Sequence, residues 1–180
     1  MRRGVLVFLM AFGAATPAAA QGPPYGPADR IPPGEQQQLA AMLDIVRNAE
    51  RVEALPVEIV GDGLSSSSRT VEKPVAVNAA TGRALGRVLT SYDWTSWSPS
   101  ACMFVPAVAF RFSRGTDSTV VKVCFMCSEM ALAGITGRFA EKKGLTFEAR
   151  NRFLRAAKRA FPKKFDEFEE ENPDVKAKGL

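Results

Sequence analysis

The chain has 180 residues, 46% of them apolar, with 24 basic and 19 acidic side chains and no histidine. Without histidine, Ser-His-Asp and Cys-His catalysis are excluded and the commonest zinc ligand is gone. The basic excess is small, and nucleic acid is not an expected partner. The charges are segregated, Arg150, Arg152, Arg155, Lys158 and Arg159 being basic and Asp166 to Glu171 acidic, which reads as a solvated helix followed by a compensating tail.

The first residues have the layout of a secretory signal. Arg2 and Arg3 precede an apolar run from Val5 to Phe12, and Ala18-Ala19-Ala20 supplies small residues for cleavage. The run is too short to span a bilayer as a helix. The expected product is exported, periplasmic or secreted, with no transmembrane segment after cleavage. Cleavage removes two arginines and no acid, leaving 22 basic against 19 acidic side chains, a net of +3.

Residues 21–34 are rich in proline and glycine and read as an extended leader. Leu39, Met42, Leu43 and Val46 then recur at helical spacing, predicting a helix from near Gly34 to near Glu53. Val57 to Val60 is a short β-type run. Gly61-Asp62-Gly63 breaks it, and Ser65 to Ser68 reads as a serine loop. Val71 to Val77, interrupted by Pro74, suggests an edge strand. Thr81-Gly82 signals a turn. Ala84 to Tyr92 is ambiguous between strand and short helix, with strand preferred. Asp93 to Ser100 reads as a loop holding Trp94 and Trp97. These two are candidates for a ligand platform, although packing over a sheet edge is the plainer role.

Cys102–Phe112 and Ser118–Cys127 are two β-type runs around Arg114-Gly115-Thr116-Asp117, a hairpin signature. With Arg114 opposite Asp117, Phe112 meets Thr119, Phe110 meets Val121, Val108 meets Val123 and Phe104 meets Cys127. That register collects the apolar residues on one face and Arg111, Lys122 and Met126 on the other, and a one-residue slip would destroy the sorting. Met130 to Ile135 either extends the second strand or leaves the sheet. A final helix is expected after Thr146 as N-cap, with Phe153, Leu154, Ala157 and Phe161 as its apolar stripe and Pro162 as its stop. Beyond it, a last helical turn holding Phe165 and Phe168 is expected to fray from Asn172. The expected fold is α+β: a small antiparallel sheet built on a central β-hairpin, flanked by an N-terminal and a C-terminal helix. It forms one domain over residues 35–171, between the leader and a polar tail at 172–180.

Three cysteines carry the sharpest local signal: Cys102, and the C-x-x-C of Cys124 and Cys127. As a redox dithiol, the motif would need a helix N-terminus to lower a thiol pKa. On a regular strand, residues three apart point to opposite faces. As a metal site, three cysteines and an acid such as Glu129 make a poor ligand set. The preferred reading is a Cys102–Cys127 staple with Cys124 free, which needs a local shift to close the distance between diagonal neighbours. Cys102–Cys124 pairing and three buried thiols stay open beside it.

The cysteine hairpin resembles a family of uncharacterised exported bacterial proteins. In that family a cysteine precedes Pro-x-His and an apolar strand, a hairpin returns to Cys-Phe-x-Cys, and a later helix ends near Ala-Phe-Pro. The counterparts here are Cys102, Pro106, Phe110, then Cys124-Phe125-Met126-Cys127, then Ala160-Phe161-Pro162. The family's histidine is replaced by alanine at Ala107 and Ala109, which implies loss of any metal site built on it. The resemblance brings no activity.

The expected function is a non-catalytic envelope binding or structural protein with a cysteine-stapled domain. The alternative is a thiol redox or metal-binding protein using the C-x-x-C. A hydrolase would need paired acids, and Glu148, Asp166 and Glu167 read instead as solvated surface. The serine run has no base beside it. No cofactor is expected.

Overall fold

The computed structural model describes residues 33–60, 67–70, 73–92, 94, 104–132 and 145–175. The signal, nearly all of the leader, Trp97, Cys102 and the end of the tail lie outside these residues. Among the described residues no helix is long and apolar enough to cross a membrane.

The hairpin forms in the expected register. Strands β4 (Val108–Arg114) and β5 (Asp117–Cys124) pair antiparallel from Arg114 opposite Asp117 to Val108 opposite Val123. Gly115 sits in the tip at φ 57°, a left-handed conformation that glycine adopts without a Cβ penalty. Val108, Phe110, Phe112, Val121 and Val123 are all fully buried. Each such side chain contributes about 1.5–3 kcal/mol over its exposed state, so the alternation of the two strands dictates which face seeks cover.

The expected continuation of the second strand to Cys127 is not found. Residues 125–128 form a turn, and Ser128 closes it at φ 53°. Strand β6 (Glu129–Leu132) then runs back antiparallel on β5, with Glu129 opposite Cys124. The pairing of Phe104 with Cys127 is thereby lost, because both strands have ended before it.

Helix α1 (Pro33–Arg47) buries Leu39 and Val46, with Met42 and Leu43 packed against the core. It ends earlier than expected. Asn48 donates from its backbone to the Asp44 carbonyl at 3.1 Å, and strand β1 (Arg51–Val60) begins three residues later. β1 pairs with β4 through Pro56 and with β2 (Ser67–Thr70) from Val57 onward. Pro56 thus stands where the strand passes from one partner to the other, a position at which a missing ladder donor is tolerated. Part of the expected serine loop is therefore strand. Of the described residues in the run Val71 to Val77, Val75–Ala76 is strand (β3), paired with β1. The sheet order is β2-β1-β4-β5-β6, with β3 also on β1.

The preferred strand at Ala84 to Tyr92 is instead α2 (Ala79–Ser91). Its start is set by Asn78, whose side-chain oxygen accepts the Thr81 N–H at 2.9 Å. The Thr81-Gly82 turn signal misled. Gly82, Leu85, Gly86 and Leu89 recur at helical spacing as the buried stripe. The glycines lie there because α2 approaches closely. A Cβ on Gly82 would stand 2.9 Å from Val52 Cγ2, and one on Gly86 would stand 3.3 Å from the Val46 carbonyl oxygen.

Helix α3 (Phe147–Ala160) is capped as expected, with Thr146 Oγ1 accepting the Ala149 N–H at 3.2 Å. α3 ends just before Pro162, as expected, and Pro162 also opens a further helix, α4 (Pro162–Glu171), in the first-turn position where proline costs no hydrogen bond. Phe165 is fully buried and packs edge-on to Phe125, with Phe168 against both rings. A 3-10 turn at Pro173–Val175 buries Val175, so the expected fraying at Asn172 does not occur there.

The result is a small α+β domain: an antiparallel sheet with helices near both ends of the chain. One sheet face is closed by α1, α2 and α3, whose apolar stripes join Val52, Ala54, Phe110 and Phe112 in one core. The other face carries a minor cluster of Leu55, Val57 and Ala109, and a cross-strand pair in which Arg111 donates to Glu53 at 3.0 Å.

Candidate functional site

The cysteines do not form the expected site. Among the described residues no cysteine pair reaches bonding distance, which is about 2.05 Å for an S–S bond. The expected cysteine-stapled domain is therefore not found among the described residues, and the Cys102–Cys127 staple rests on a residue outside them, Cys102. Cys124 is a buried thiol. It closes the turn after β5 by accepting the Cys127 N–H at 3.4 Å on its sulfur. The C-x-x-C thus belongs to a turn between strands and not to a helix N-terminus, which removes the geometry of a redox dithiol. Among the described residues no three His, Cys, Asp or Glu side chains gather to hold a metal ion. Glu129 is buried, and its Oε2 has no hydrogen-bond partner.

Trp94 is 2% exposed. Its indole donates to the Leu89 carbonyl at 2.7 Å, and its ring stands edge-on to Tyr92 at 4.9 Å. It anchors the end of α2 and offers no ring face as a platform. Trp97 lies outside the described residues.

A different site emerges where α2 meets the α1–β1 connection. A cleft of about 350 Å³ opens between them, with β3 at one side. Its size is within the range of small-ligand pockets, toward the small end. Arg83 and Arg87 stand one turn apart on the α2 wall, and Arg47 and Arg51 line the opposite wall. Among the lining residues these four arginines stand beside one acid, Glu50, whose carboxylate accepts the Gly115 N–H of the hairpin tip at 3.2 Å. Arg51 is 3.6 Å from Glu53. Among the described residues Arg83 and Arg87 make no hydrogen bond or ion pair. The first turn of α2 borders the same cleft through Ala79, adding the positive end of the helix dipole.

The backbone explains why the cleft has this shape. Gly82 and Gly86 bring α2 down onto Val52 and Val46. The neighbouring positions, Arg83 and Arg87, are thereby carried to the rim and left exposed. Thr90 Oγ1 is spent on the Gly86 carbonyl at 2.9 Å. Beneath the cleft, Arg114 ties the hairpin to α1 through Asp44 at 2.6 Å. The hydrogen bond from Arg114 holds the Asp44 carboxyl below its ordinary value and raises Arg114 in return. This pair fixes the α1 end of the cleft to the sheet.

Sequence reasoning missed the site because it placed Ala84 to Tyr92 on a strand. An available signal was Asn78, three residues before Thr81, together with the i, i+4 spacing of Arg83 and Arg87.

Comparisons with protein-family models, with characterised proteins and with solved structures gave no match to this chain. The resemblance to the exported Cys-Phe-x-Cys proteins gains no support from them.

Proposed function

We propose that the chain is an anion-binding module that acts outside the cytoplasm, and that the α1–α2 cleft takes a small phosphate- or carboxylate-bearing ligand. One observation carries this reading: Arg83 and Arg87 stand unpaired among the described residues on one wall of a cleft whose other wall bears Arg47 and Arg51. Like charges gathered around a recess repel one another, and an anion seated between them relieves the repulsion. Arginine suits the task because its planar fork of donors matches carboxylate and phosphate oxygens two at a time. The α2 first turn adds a fixed positive pole. The N-terminal charge and hydropathy pattern supports export.

The test is isothermal titration calorimetry of the mature protein with pyrophosphate and with citrate. Saturable binding is expected. Arg83→Ala/Arg87→Ala should weaken it about ten-fold or more, since charge-assisted hydrogen bonds contribute about 1.5–3 kcal/mol each when well formed. No heat with either anion, at protein concentrations that would reveal a millimolar Kd, would refute the reading.

A further inference from the structure

We propose that the basic surface continues from the cleft across α2 into the seam between α2 and α3, and that this whole band receives a linear polyanion built of repeated phosphate groups. The proposal rests on the anion reading of the cleft and extends it from a single group to a polymer.

Helices α2 and α3 run antiparallel. Thr81 and Ala84 share a recess of about 160 Å³ with Arg155 and Arg159, while Ser91 and Tyr92 share one of about 520 Å³ with Thr146 and Glu148. Two arginines join the recesses into one path. Arg87 lines both the cleft and the wider seam recess, and Arg152 lines both seam recesses. From Arg152 to Arg159 the helix rises about 10.5 Å, so the seam holds a run of charge longer than one small anion. Glu148, the acid lining the seam, is already paired with Arg152. Among the described residues Arg155 and Arg159 make no ion pair or hydrogen bond. This differs from Arg111 and Arg114, which are each matched to a carboxylate.

The chemistry of the path selects among polyanions. Among the described residues Val105, Met126 and Phe147 are the large apolar side chains left exposed, and none of them lines the cleft or the seam. A surface that settles into a membrane interface sets apolar side chains beside its basic ones. Binding of single-stranded nucleic acid adds aromatic faces for base stacking. Among the described residues the aromatic on this path is Tyr92, half-buried and packed edge-on to Trp94. Charge spaced along grooves, without stacking faces or apolar anchors, fits a chain recognised through its phosphates alone.

Binding of linear inorganic polyphosphate and of pyrophosphate to the mature full chain, each measured across a salt series, tests the proposal. The variants are Arg155→Ala/Arg159→Ala and Arg83→Ala/Arg87→Ala, with circular dichroism to verify folding; alanine favours helix at all four positions. Polyphosphate should bind more tightly than pyrophosphate. Arg155→Ala/Arg159→Ala should lower polyphosphate affinity on the order of ten- to thirty-fold at ~0.1 M salt. It should also reduce the log–log salt slope by about 1.4, near 0.7 per lost phosphate contact, and leave pyrophosphate affinity unchanged. Arg83→Ala/Arg87→Ala should weaken both ligands. If pyrophosphate binds but polyphosphate is indifferent to Arg155 and Arg159, the seam proposal falls and the cleft reading stands. If neither ligand binds, both fall. Equal or tighter binding of oligothymidylate or phosphatidylglycerol vesicles, dependent on the same arginines, would overturn the choice of polymer.

Discussion

Gly82→Ala makes a decisive perturbation because two effects of known sign oppose each other. In an exposed helix interior the change would stabilise by about 1 kcal/mol through helix propensity. Here the new Cβ would stand 2.9 Å from Val52 Cγ2 and 3.2 Å from Val52 Cβ. Val52 cannot turn both atoms away, since its Cβ moves only with the β1 backbone. Overpacking of this kind costs about 1–3 kcal/mol. The expected net change is a loss of about 1 kcal/mol, measured as a lower urea midpoint with unchanged m-value. Val52→Ala alone should cost about 2 kcal/mol from lost burial and the cavity left behind. Combined with Gly82→Ala, it removes the closer of the two contacts. The double variant should therefore lose less than the two single losses together, by roughly 1 kcal/mol. Stabilisation by Gly82→Ala, or additivity within about 0.3 kcal/mol, would refute the close approach of α2 to β1 and with it the shape of the cleft.

Thr146→Ala should destabilise by about 1 kcal/mol, because the Ala149 N–H loses its acceptor; thermal melting against a Thr146→Ser control measures it. Asp44 has its carboxyl held below the ordinary 3.8 by the Arg114 hydrogen bond, so its contribution is complete above pH 3.8 and is lost as pH falls through the lowered value. Asp44→Asn should be less stable than the parent near neutrality, and the gap should close in acid melts. Lys158 is raised above 10.5, first by its hydrogen bond to Glu169 and then by that to Asp166. Its contribution is present below pH 10.5 and fades as pH rises through the raised value, so the deficit of Lys158→Met should shrink in alkaline melts. A deficit independent of pH would refute the pairing.

Much of the architecture could be read from the residues. The hairpin register came from side-chain alternation, because only one pairing of these two runs sorts Phe110, Phe112, Val121 and Val123 onto one face. The α1 stripe and the Thr146 cap were legible for the same reason: each is a local pattern with a local cause. What failed depended on tertiary context. α2 buries two glycines, residues that weaken a helix in isolation, and their use becomes clear only with Val52 and Val46 beneath them. Pro162 follows the end of α3 as read, but that it also starts a full helix depends on whether the residues after it have a surface to cover. Here Phe165 and Phe168 had a pocket beside Phe125 to fill. The cysteine site failed because a turn at 125–128 replaced the strand on which the staple had been placed. The basic cleft was hidden because its arginines come from α1, β1 and α2, which the sequence keeps up to 40 residues apart.

The pairing of β1 with β4 has a consequence for the order of assembly. Arg51 lies opposite Ser113, so the strand that organises the N-terminal half finds its long partner only after some sixty more residues have been made. β2 and β3, though nearer in sequence, cover just short stretches of it. Contacts this distant form late and slow folding. Until the β4–β5 hairpin exists, β1 lacks its long partner and has only the short pairings with β2 and β3. The export proposed for this chain would gain from such a delay: the element that would lock it shut is among the later parts to arrive.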